Sequence, residues 1–229
     1  LFYFGAKKRF SKITRNNEFF FYLSIFILFA VTGAFVLVAN GSFKPGRSFL
    51  ESSFHTASMI STTGYFLSDY NTWGSFMVYA LILLMIIGSS SCSAGGGLKA
   101  IRLLLLGKII GLQMKNTIHP NAVVPLRMGD KIVSSSMATK VLMLIIIYLI
   151  ILSVGAIILS LMGYDTLTSF SFAASMLSNV GHAPGSIGPF GSLASLPMVG
   201  KQFLVVLMIV GRVEFISLFI LITKGYYKN

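Results

Sequence analysis

The residues best suited to chemistry form two short polar stretches about 117 residues apart. Each stretch follows an Ala-Ser-Met sequence and ends at a glycine. The first polar stretch consists of Ser61, Thr62, Thr63 and Gly64. The second polar stretch consists of Ser178, Asn179, Val180 and Gly181. Backbone carbonyl oxygens can replace the hydration shell of K⁺, and glycine tolerates the conformations that turn successive carbonyls towards an ion. Both stretches are candidates for a filter that holds K⁺ on backbone carbonyls, and ordinary turns between helices are the alternative.

A run of small residues interrupts a long apolar segment at residues 75–106. The run comprises Gly88, Ser89, Ser90, Ser91, Cys92, Ser93, Ala94, Gly95, Gly96 and Gly97, with Lys99 close behind. A continuous helix over this segment would be about 48 Å long and would overshoot a hydrocarbon core of about 30 Å. We therefore expect two half-helices joined by an unwound loop.

Three interpretations of this run are open. A phosphate-binding loop would need a preceding strand and a closing Gly-Lys-Ser/Thr, and the sequence has neither. Small residues also allow close packing of membrane helices. An unwound gate below a filter fits better, because broken backbone at membrane depth is restricted to pore-lining or protein-buried places. Lys99 is then a cation-repelling part of the gate or a side chain that snorkels to the interface.

Charged residues in apolar surroundings form the third set of candidates. Arg212 lies well inside the last apolar segment, where an Arg costs about 2.5–3.5 kcal/mol on insertion scales. An Arg kept at that cost needs a role or a partner on another helix, since Glu214, two residues further on, points to a different helix face. Glu51, Asp69 and Asp165 are expected near the outer surface, where they attract cations or keep loops solvated.

The elements that would carry these residues are mostly membrane helices. Apolar residues make up 55 % of the chain, charged residues 10 %, and the mean hydropathy is +0.84. The pattern predicts spanning helices at 19–39, 141–162 and 198–223, and shorter pore-type helices at 48–60 and 165–178. We expect an all-α polytopic membrane protein, K⁺-channel-like, with two tandem repeats of helix, re-entrant pore helix with filter loop, and helix.

The predicted divisions of the chain follow from that order. A basic cytoplasmic segment spans 1–18, a first pore repeat 19–106, a cytoplasmic connector 107–140 and a second pore repeat 141–229. With both polar loops outside, 14 of the 18 Lys and Arg residues face the cytoplasm, as the positive-inside rule requires. These 14 residues are Lys7, Lys8, Arg9, Lys12, Arg15, Lys99, Arg102, Lys108, Lys115, Arg127, Lys131, Lys140, Lys224 and Lys228. The net charge of +12 therefore indicates anionic lipid headgroups as the partner, not nucleic acid.

Several linked motifs resemble one family along essentially the whole chain. They read STTGY from Ser61, SNVGHAPG from Ser178, GSSSCSAGGGLKAIR from Gly88 and GRVEFISLFIL from Gly211. In that order they resemble the third and fourth repeats of TrkH-type potassium transporters of the Trk/Ktr/HKT superfamily. One departure is His182, followed by Ala183, where the family pattern has a proline directly after the filter glycine.

The resemblance implies K⁺ uptake across the cytoplasmic membrane of a bacterium, passively or with coupling to another ion. It implies four repeats around one pore, and hence an N-terminal half that this chain lacks. It also implies a gate loop in the third repeat, with Arg212 facing the pore near that loop. A homodimer and a cytoplasmic nucleotide-binding regulatory subunit similar to TrkA are implied as well. No cofactor is expected, and K⁺ is the transported ion.

Two other classes of function are less well supported by the residues. An intramembrane enzyme would need clustered groups, but His55, His119 and His182 fall in separate environments, no His-Glu-x-x-His occurs, and Cys92 has no adjacent base. A secondary carrier for another monovalent cation, Na⁺-coupled or Na⁺-selective, is the closer alternative. Both repeats are predicted to start on the same side of the membrane, which favours a rotationally symmetric pore over inverted repeats.

Overall fold

The structure is a computed structural model that describes residues 17–213 except 92, 120–124, 129–130, 187, 192–193 and 195. Seven helices of 12 or more residues occupy most of that part. They are α1 Asn17–Ala39, α2 Pro45–Ile60, α3 Ser75–Ile87, α4 Ala100–Ile118, α5 Ser135–Leu161, α6 Thr166–Leu177 and α7 Met198–Arg212. A 3₁₀ turn, Tyr70–Trp73, and a two-residue antiparallel hairpin, β1 Arg127–Met128 with β2 Lys131–Ile132, complete the described elements.

Two of these helices are long and apolar enough to cross a bilayer. The 23 residues of α1 and the 27 residues of α5 correspond to about 35 Å and 40 Å of helix. Each covers a span predicted from the sequence. The third predicted span begins at Met198 as expected, and its continuation from 214 to 223 lies outside the described residues.

The long apolar segment of the first repeat is broken, as its small residues predict. Helix α3 ends at Ile87 and α4 begins at Ala100, and residues 88–99, called the small-residue loop below, join them. Gly88, Gly97 and Lys99 adopt φ angles of 69°, 81° and 69°, which no continuous right-handed helix contains. Helix α4 continues to Ile118, so the expected connector boundary at residue 107 falls inside a helix.

The two repeats form two adjoining cores. The first core lies between α1, α2, the 3₁₀ turn and α3, and the second lies between α3, α5, α6 and α7. Large side chains such as Trp73 and Tyr148 are almost fully buried, whereas Phe35 and Leu161 on the outer faces of α1 and α5 are 74 % and 82 % exposed. Apolar side chains on the outside and polar ones inside are typical of a helix bundle surrounded by lipid.

The two short helices, α2 and α6, are placed so that their polar residues are buried. Ser48, Ser52 and Thr56 of α2 are each at most 1 % exposed, and so are Thr168 and Ser175 of α6. Because α2 packs against α1 and α6 against α5, each short helix is shielded from the outside by the long helix that precedes it. Their C-terminal ends carry the two polar stretches to the same region.

Candidate functional site

The two polar stretches have the same hydrogen-bond pattern. The amide of Thr63 donates to the carbonyl of Ser58 at 2.9 Å, and the amide of Val180 donates to that of Ser175 at 2.9 Å. The amides therefore point back into the short helices. Among the described residues, no donor hydrogen-bonds to any carbonyl oxygen of 61–64 or 178–181. Eight carbonyl oxygens are thus left for other ligands.

The backbone conformations of the stretches also match. Thr62 and Asn179 have φ angles of 56° and 58°, and Gly64 and Gly181 have φ angles of 81° and 101°. A positive φ at Thr62 is unusual, because β-branched residues avoid the left-handed region. Two matched departures in one chain indicate that the surrounding structure imposes this shape on both stretches, as often happens at functional sites.

One serine of the preceding short helix holds the end of each stretch. The hydroxyl of Ser58 donates to the carbonyl of Tyr65 at 2.6 Å, and that of Ser175 donates to the carbonyl of His182 at 2.7 Å. The second stretch has an additional brace, since Tyr148 of α5 lies 2.9 Å from the Ser178 hydroxyl. The expected departure at His182 therefore leaves the backbone pattern of the second stretch unchanged.

The two stretches touch each other at Gly64. A Cβ added to Gly64 would overlap the carbonyl oxygen of Val180, so only glycine fits between the stretches. A Cβ added to Gly181 would meet nothing within 4 Å among the described residues. The carbonyls of the two stretches are thus brought together at one place, from both repeats.

The small-residue loop lies directly against the beginning of both polar stretches. The amide of Gly96 donates to the Thr62 hydroxyl at 3.1 Å, and a Cβ added to Gly96 would overlap the carbonyl oxygen of Ser178. Ser89 is 1 % exposed and its carbonyl accepts from the amide of Ala100 at 3.1 Å. The sequence run therefore forms a folded loop that is packed on the polar stretches.

Two charged residues, one near each end of the described chain, hold this loop. The carboxylate of Glu18 accepts from the amide and the hydroxyl of Ser91 at 2.7 and 2.8 Å. On the other side, the guanidinium of Arg212 donates to the carbonyl of Ala94. Arg212 was expected from the sequence to meet the loop or a group on another helix, whereas Glu18 was assigned only to a basic segment. An acidic residue among many basic ones was the available signal for Glu18.

A cavity of about 220 Å³ lies against the small-residue loop, and none of residues 61–64 or 178–181 lines it. Loop residues 93–97 and the side chains of Lys99, Arg102 and Arg212 line it. Helix α7 approaches closely here, because a Cβ added to Gly211 would overlap the carbonyl oxygen of Leu177. Three basic side chains therefore line this cavity beside the loop.

A model of the TrkH family, described as cation transport protein, matches residues 19–226 of this sequence. The chain belongs to the TrkH family. The match covers both repeats and the loops between them, as the resemblance of the motifs predicts.

Individual TrkH-family proteins give the same result. The Trk system potassium uptake protein TrkI of Halomonas elongata is 31 % identical over 80 % of this chain and 37 % of that protein. TrkG of Escherichia coli K12 is 27 % identical over 98 % of this chain and 46 % of TrkG. The crystal structure of the potassium transporter TrkH from Vibrio parahaemolyticus matches with a TM-score of 0.84 and 28 % identity, over 93 % of this chain and 45 % of that one. The chain thus spans less than half the length of these relatives.

TrkH-family membership decides two of the expectations. The fold is a polytopic all-α membrane fold, and the β1–β2 hairpin in the connector is a minor addition to it. The chain is a member of a transporter family and not an enzyme. The described His, Cys, Asp and Glu residues form no cluster of three that could hold a metal ion.

The acidic residues expected near the outer surface have structural contacts in this TrkH-family fold. Glu51 is only 2 % exposed and accepts from the Ser68 hydroxyl at 2.9 Å, with Arg47 at 3.4 Å. Asp69 caps the 3₁₀ turn, and Asp165 caps α6, where hydrogen bonding by Thr168 lowers the pKa of the Asp165 carboxyl. Glu51 is therefore a buried support of the first repeat and not a solvated loop residue.

Proposed function

We propose that this chain forms part of a pathway for K⁺ uptake across the cytoplasmic membrane of a bacterium. The carbonyl oxygens of 61–64 and 178–181 would replace water around the ion. The observation that carries this proposal is the pair of matched stretches, in contact at Gly64, whose carbonyls accept no hydrogen bond from the described residues. The potassium uptake activity in the names of the relatives supports K⁺ as the ion.

The small-residue loop is proposed as the gate of this pathway. It lies against Thr62 and Ser178, so an ion leaving the polar stretches meets it at once. Opening requires the contacts of Glu18 and Arg212 with the loop to loosen or move. Lys99 and Arg212 add positive charge beside the loop, which raises the energy of a cation there until the loop moves.

A complete pathway is proposed to need an N-terminal half with two further repeats. The polar stretches meet at Gly64, whereas a Cβ added to Gly181 would meet no described atom within 4 Å, and a closed ring of carbonyls needs a neighbour in that space. The length of the relatives supports this arrangement. The basic stretches 7–15 and 99–140 suit an acidic protein or a surface of anionic lipid headgroups. A homodimer with a nucleotide-binding regulatory subunit at the cytoplasmic face belongs to the same proposal.

Ion flux through the full-length protein tests this function. The protein is reconstituted in liposomes, and uptake of K⁺, Rb⁺ and Na⁺ is measured with and without an imposed Na⁺ gradient. We expect K⁺ and Rb⁺ uptake that exceeds Na⁺ uptake and needs no Na⁺ gradient. Uptake that occurs only with a Na⁺ gradient would identify a coupled carrier, and the absence of K⁺ uptake would refute the proposal.

A further inference from the structure

The segments that follow the two polar stretches, 65–69 and 182–186, are called the exit segments here. In the first repeat, the short helix α2 holds its own exit segment. The amide of Leu67 donates to Nε2 of His55 at 3.3 Å, and the hydroxyl of Ser68 donates to Glu51 at 2.9 Å. His55 and Glu51 are 0 % and 2 % exposed, so these two bonds are made in a buried environment.

The second repeat cannot make the same two bonds. At the repeat offset of about 117 residues, Pro184 stands for Leu67 and Phe172 for His55, so the amide donor and the ring acceptor are both missing. Gly185 stands for Ser68 and has no hydroxyl to donate. Because the amide is missing at Pro184 and the ring nitrogen at Phe172, neither position has an unpaired polar group. The amide and carbonyl of Gly185, however, have no hydrogen-bond partner on α6.

Helix α6 holds the second exit segment at the His182 carbonyl, through Ser175, and at the residues on either side of Gly185, but not at Gly185 itself. The hydroxyl of Ser171 donates to the carbonyl of Pro184, and the amide of Ser186 donates to the Thr168 hydroxyl at 2.8 Å. Gly185 itself has a φ of 132°, a conformation that is essentially restricted to glycine. Because glycine can adopt many backbone conformations, the conformation of Gly185 must be fixed by a contact from another part of the protein.

Asn71 of the first repeat supplies that contact. The amide of Gly185 donates to Oδ1 of Asn71 at 3.0 Å, and Nδ2 of Asn71 donates to the Gly185 carbonyl at 3.2 Å. Asn71 is itself fixed, because its amide donates to the Asp69 carboxylate at 3.0 Å. One side-chain amide thus bonds both peptide groups of Gly185, whose carbonyl also accepts from the amide of Gly188 at 3.0 Å.

The neighbouring Tyr70 strengthens this connection between the repeats. Its hydroxyl lies 2.8 Å from Nδ1 of His182, and the two rings are stacked at a centroid distance of 6.0 Å. Tyr70 is 0 % exposed, so its position is set by the core of the first repeat. The 3₁₀ turn of the first repeat therefore contacts the second exit segment at two places, His182 and Gly185.

We propose that Asn71 is a positioning residue for ion discrimination: it fixes the second exit segment, and through it the carbonyls of 178–181, from the first repeat. This inference rests on the proposed function of the polar stretches. Gly185 lies only four residues beyond Gly181, and without Asn71 the chain between them would be held by described residues only at His182 and Pro184, which lets the second stretch shift. The first stretch, which α2 holds by itself, would keep its shape.

The variant Asn71→Ala tests this role in the full-length protein, with Thr72→Ala as its matched control. Thr72 is exposed in the same turn, and within the described part of the chain its hydroxyl bonds only the Asp69 carbonyl. Because two neutral hydrogen bonds are lost, we expect Asn71→Ala to lower the K⁺/Na⁺ flux ratio about fivefold, whereas Thr72→Ala leaves it unchanged. The apparent KM for K⁺ and the melting temperature in detergent are measured alongside.

The outcomes separate this inference from the proposed function. A wild-type protein without K⁺ flux refutes the proposed function itself. A selective wild-type protein with an unchanged flux ratio in Asn71→Ala refutes only the inference, as does a lower melting temperature with unchanged selectivity of the folded fraction. Should Asn71→Ala fail to accumulate, Asn71→Asp keeps the acceptor for the Gly185 amide and lacks the donor to its carbonyl. The added negative charge of the new carboxylate would act on K⁺ and Na⁺ alike. The K⁺/Na⁺ flux ratio of Asn71→Asp therefore still measures the effect of losing the hydrogen bond to the second exit segment.

Discussion

Gly64 and Gly181 end the two polar stretches in equivalent conformations but in different surroundings. Both have positive φ, so any other residue is strained by about 1–2 kcal/mol at either position. Only at Gly64 would a side chain also overlap the opposite stretch, at the Val180 carbonyl. The two glycines therefore differ in packing while they share a backbone requirement.

This difference predicts unequal effects of the same substitution. Gly64→Ala should reduce both the melting temperature and the K⁺/Na⁺ flux ratio, because the two stretches must separate to admit the methyl group. Gly181→Ala should lower stability by about 1–2 kcal/mol through strain alone. Detergent melting and flux per folded molecule are compared for both variants; equal losses would show that the contact at Val180 has no role.

Arg212 offers a second prediction for a single residue. Its hydrogen bond to the Ala94 carbonyl holds the small-residue loop in place, and bonds to charged groups contribute about 1.5–3 kcal/mol. Arg212→Ala should therefore increase K⁺ flux per folded molecule by about tenfold, since an exposed bond contributes at the lower end of that range.

Arg212→Lys is the control, because it keeps the positive charge and loses the guanidinium. Flux between that of wild type and Arg212→Ala is expected. Normal flux in Arg212→Ala together with a large loss of melting temperature would assign the residue to stability alone.

At the scale of elements, the small-residue loop is held from α1 as well as from α7. Glu18 accepts two hydrogen bonds from Ser91, and charge-assisted bonds of this kind are about twice as strong as neutral ones. Glu18→Gln should weaken both bonds and raise flux, by less than Arg212→Ala does. Asn17→Ala, an exposed neighbour on the same helix turn, serves as the control; a wild-type flux in Glu18→Gln would argue against a gating role of this contact.

The approach of α7 to the end of α6 leads to another prediction. Gly211→Ala should destabilise the protein by about 1–3 kcal/mol, because the methyl group would overlap the Leu177 carbonyl. Gly107→Ala in α4 meets nothing within 4 Å and should stabilise by up to about 1 kcal/mol through helix propensity. Melting temperatures of the two variants in detergent should shift in opposite directions.

The positions of the helices could be predicted from the sequence, but the residues at which the helices begin and end were predicted less accurately. Apolar runs predict α1 and α5 to within a turn or two, and the small residues predict the break between α3 and α4. The extension of α4 to Ile118 was missed, because Lys108 and Lys115 look like connector residues although a half-exposed helix accommodates them. Glu51 was expected in solvent, since burial of a carboxylate depends on Ser68 and Arg47, whose proximity only the fold determines.

On the scale of the whole molecule, the repetition in the sequence predicts the matched pairs and not the contacts between repeats. Ala57 and Ala174 align two short helices whose C-terminal ends have the same hydrogen bonds. Three contacts join residues that are distant in sequence: Gly64 with Val180, the hydrogen bonds of Asn71 with Gly185, and the hydrogen bonds of Glu18 with Ser91. No local pattern indicates such pairs, because each partner alone looks like an ordinary polar or small residue.

The unequal support of the two exit segments limits how the repeats can be exchanged in protein engineering. Residues 61–69 transplanted into the second repeat would bring the Leu67 amide to Phe172, which offers no acceptor. The reverse transplant would place Pro184 opposite His55 and leave that imidazole nitrogen buried without a donor. A working chimera must therefore exchange each short helix together with the polar stretch and exit segment that follow it. It must also keep the Tyr70–Trp73 turn in contact with the exit segment of the second repeat. The smallest interchangeable module of this protein is larger than its internal repetition suggests.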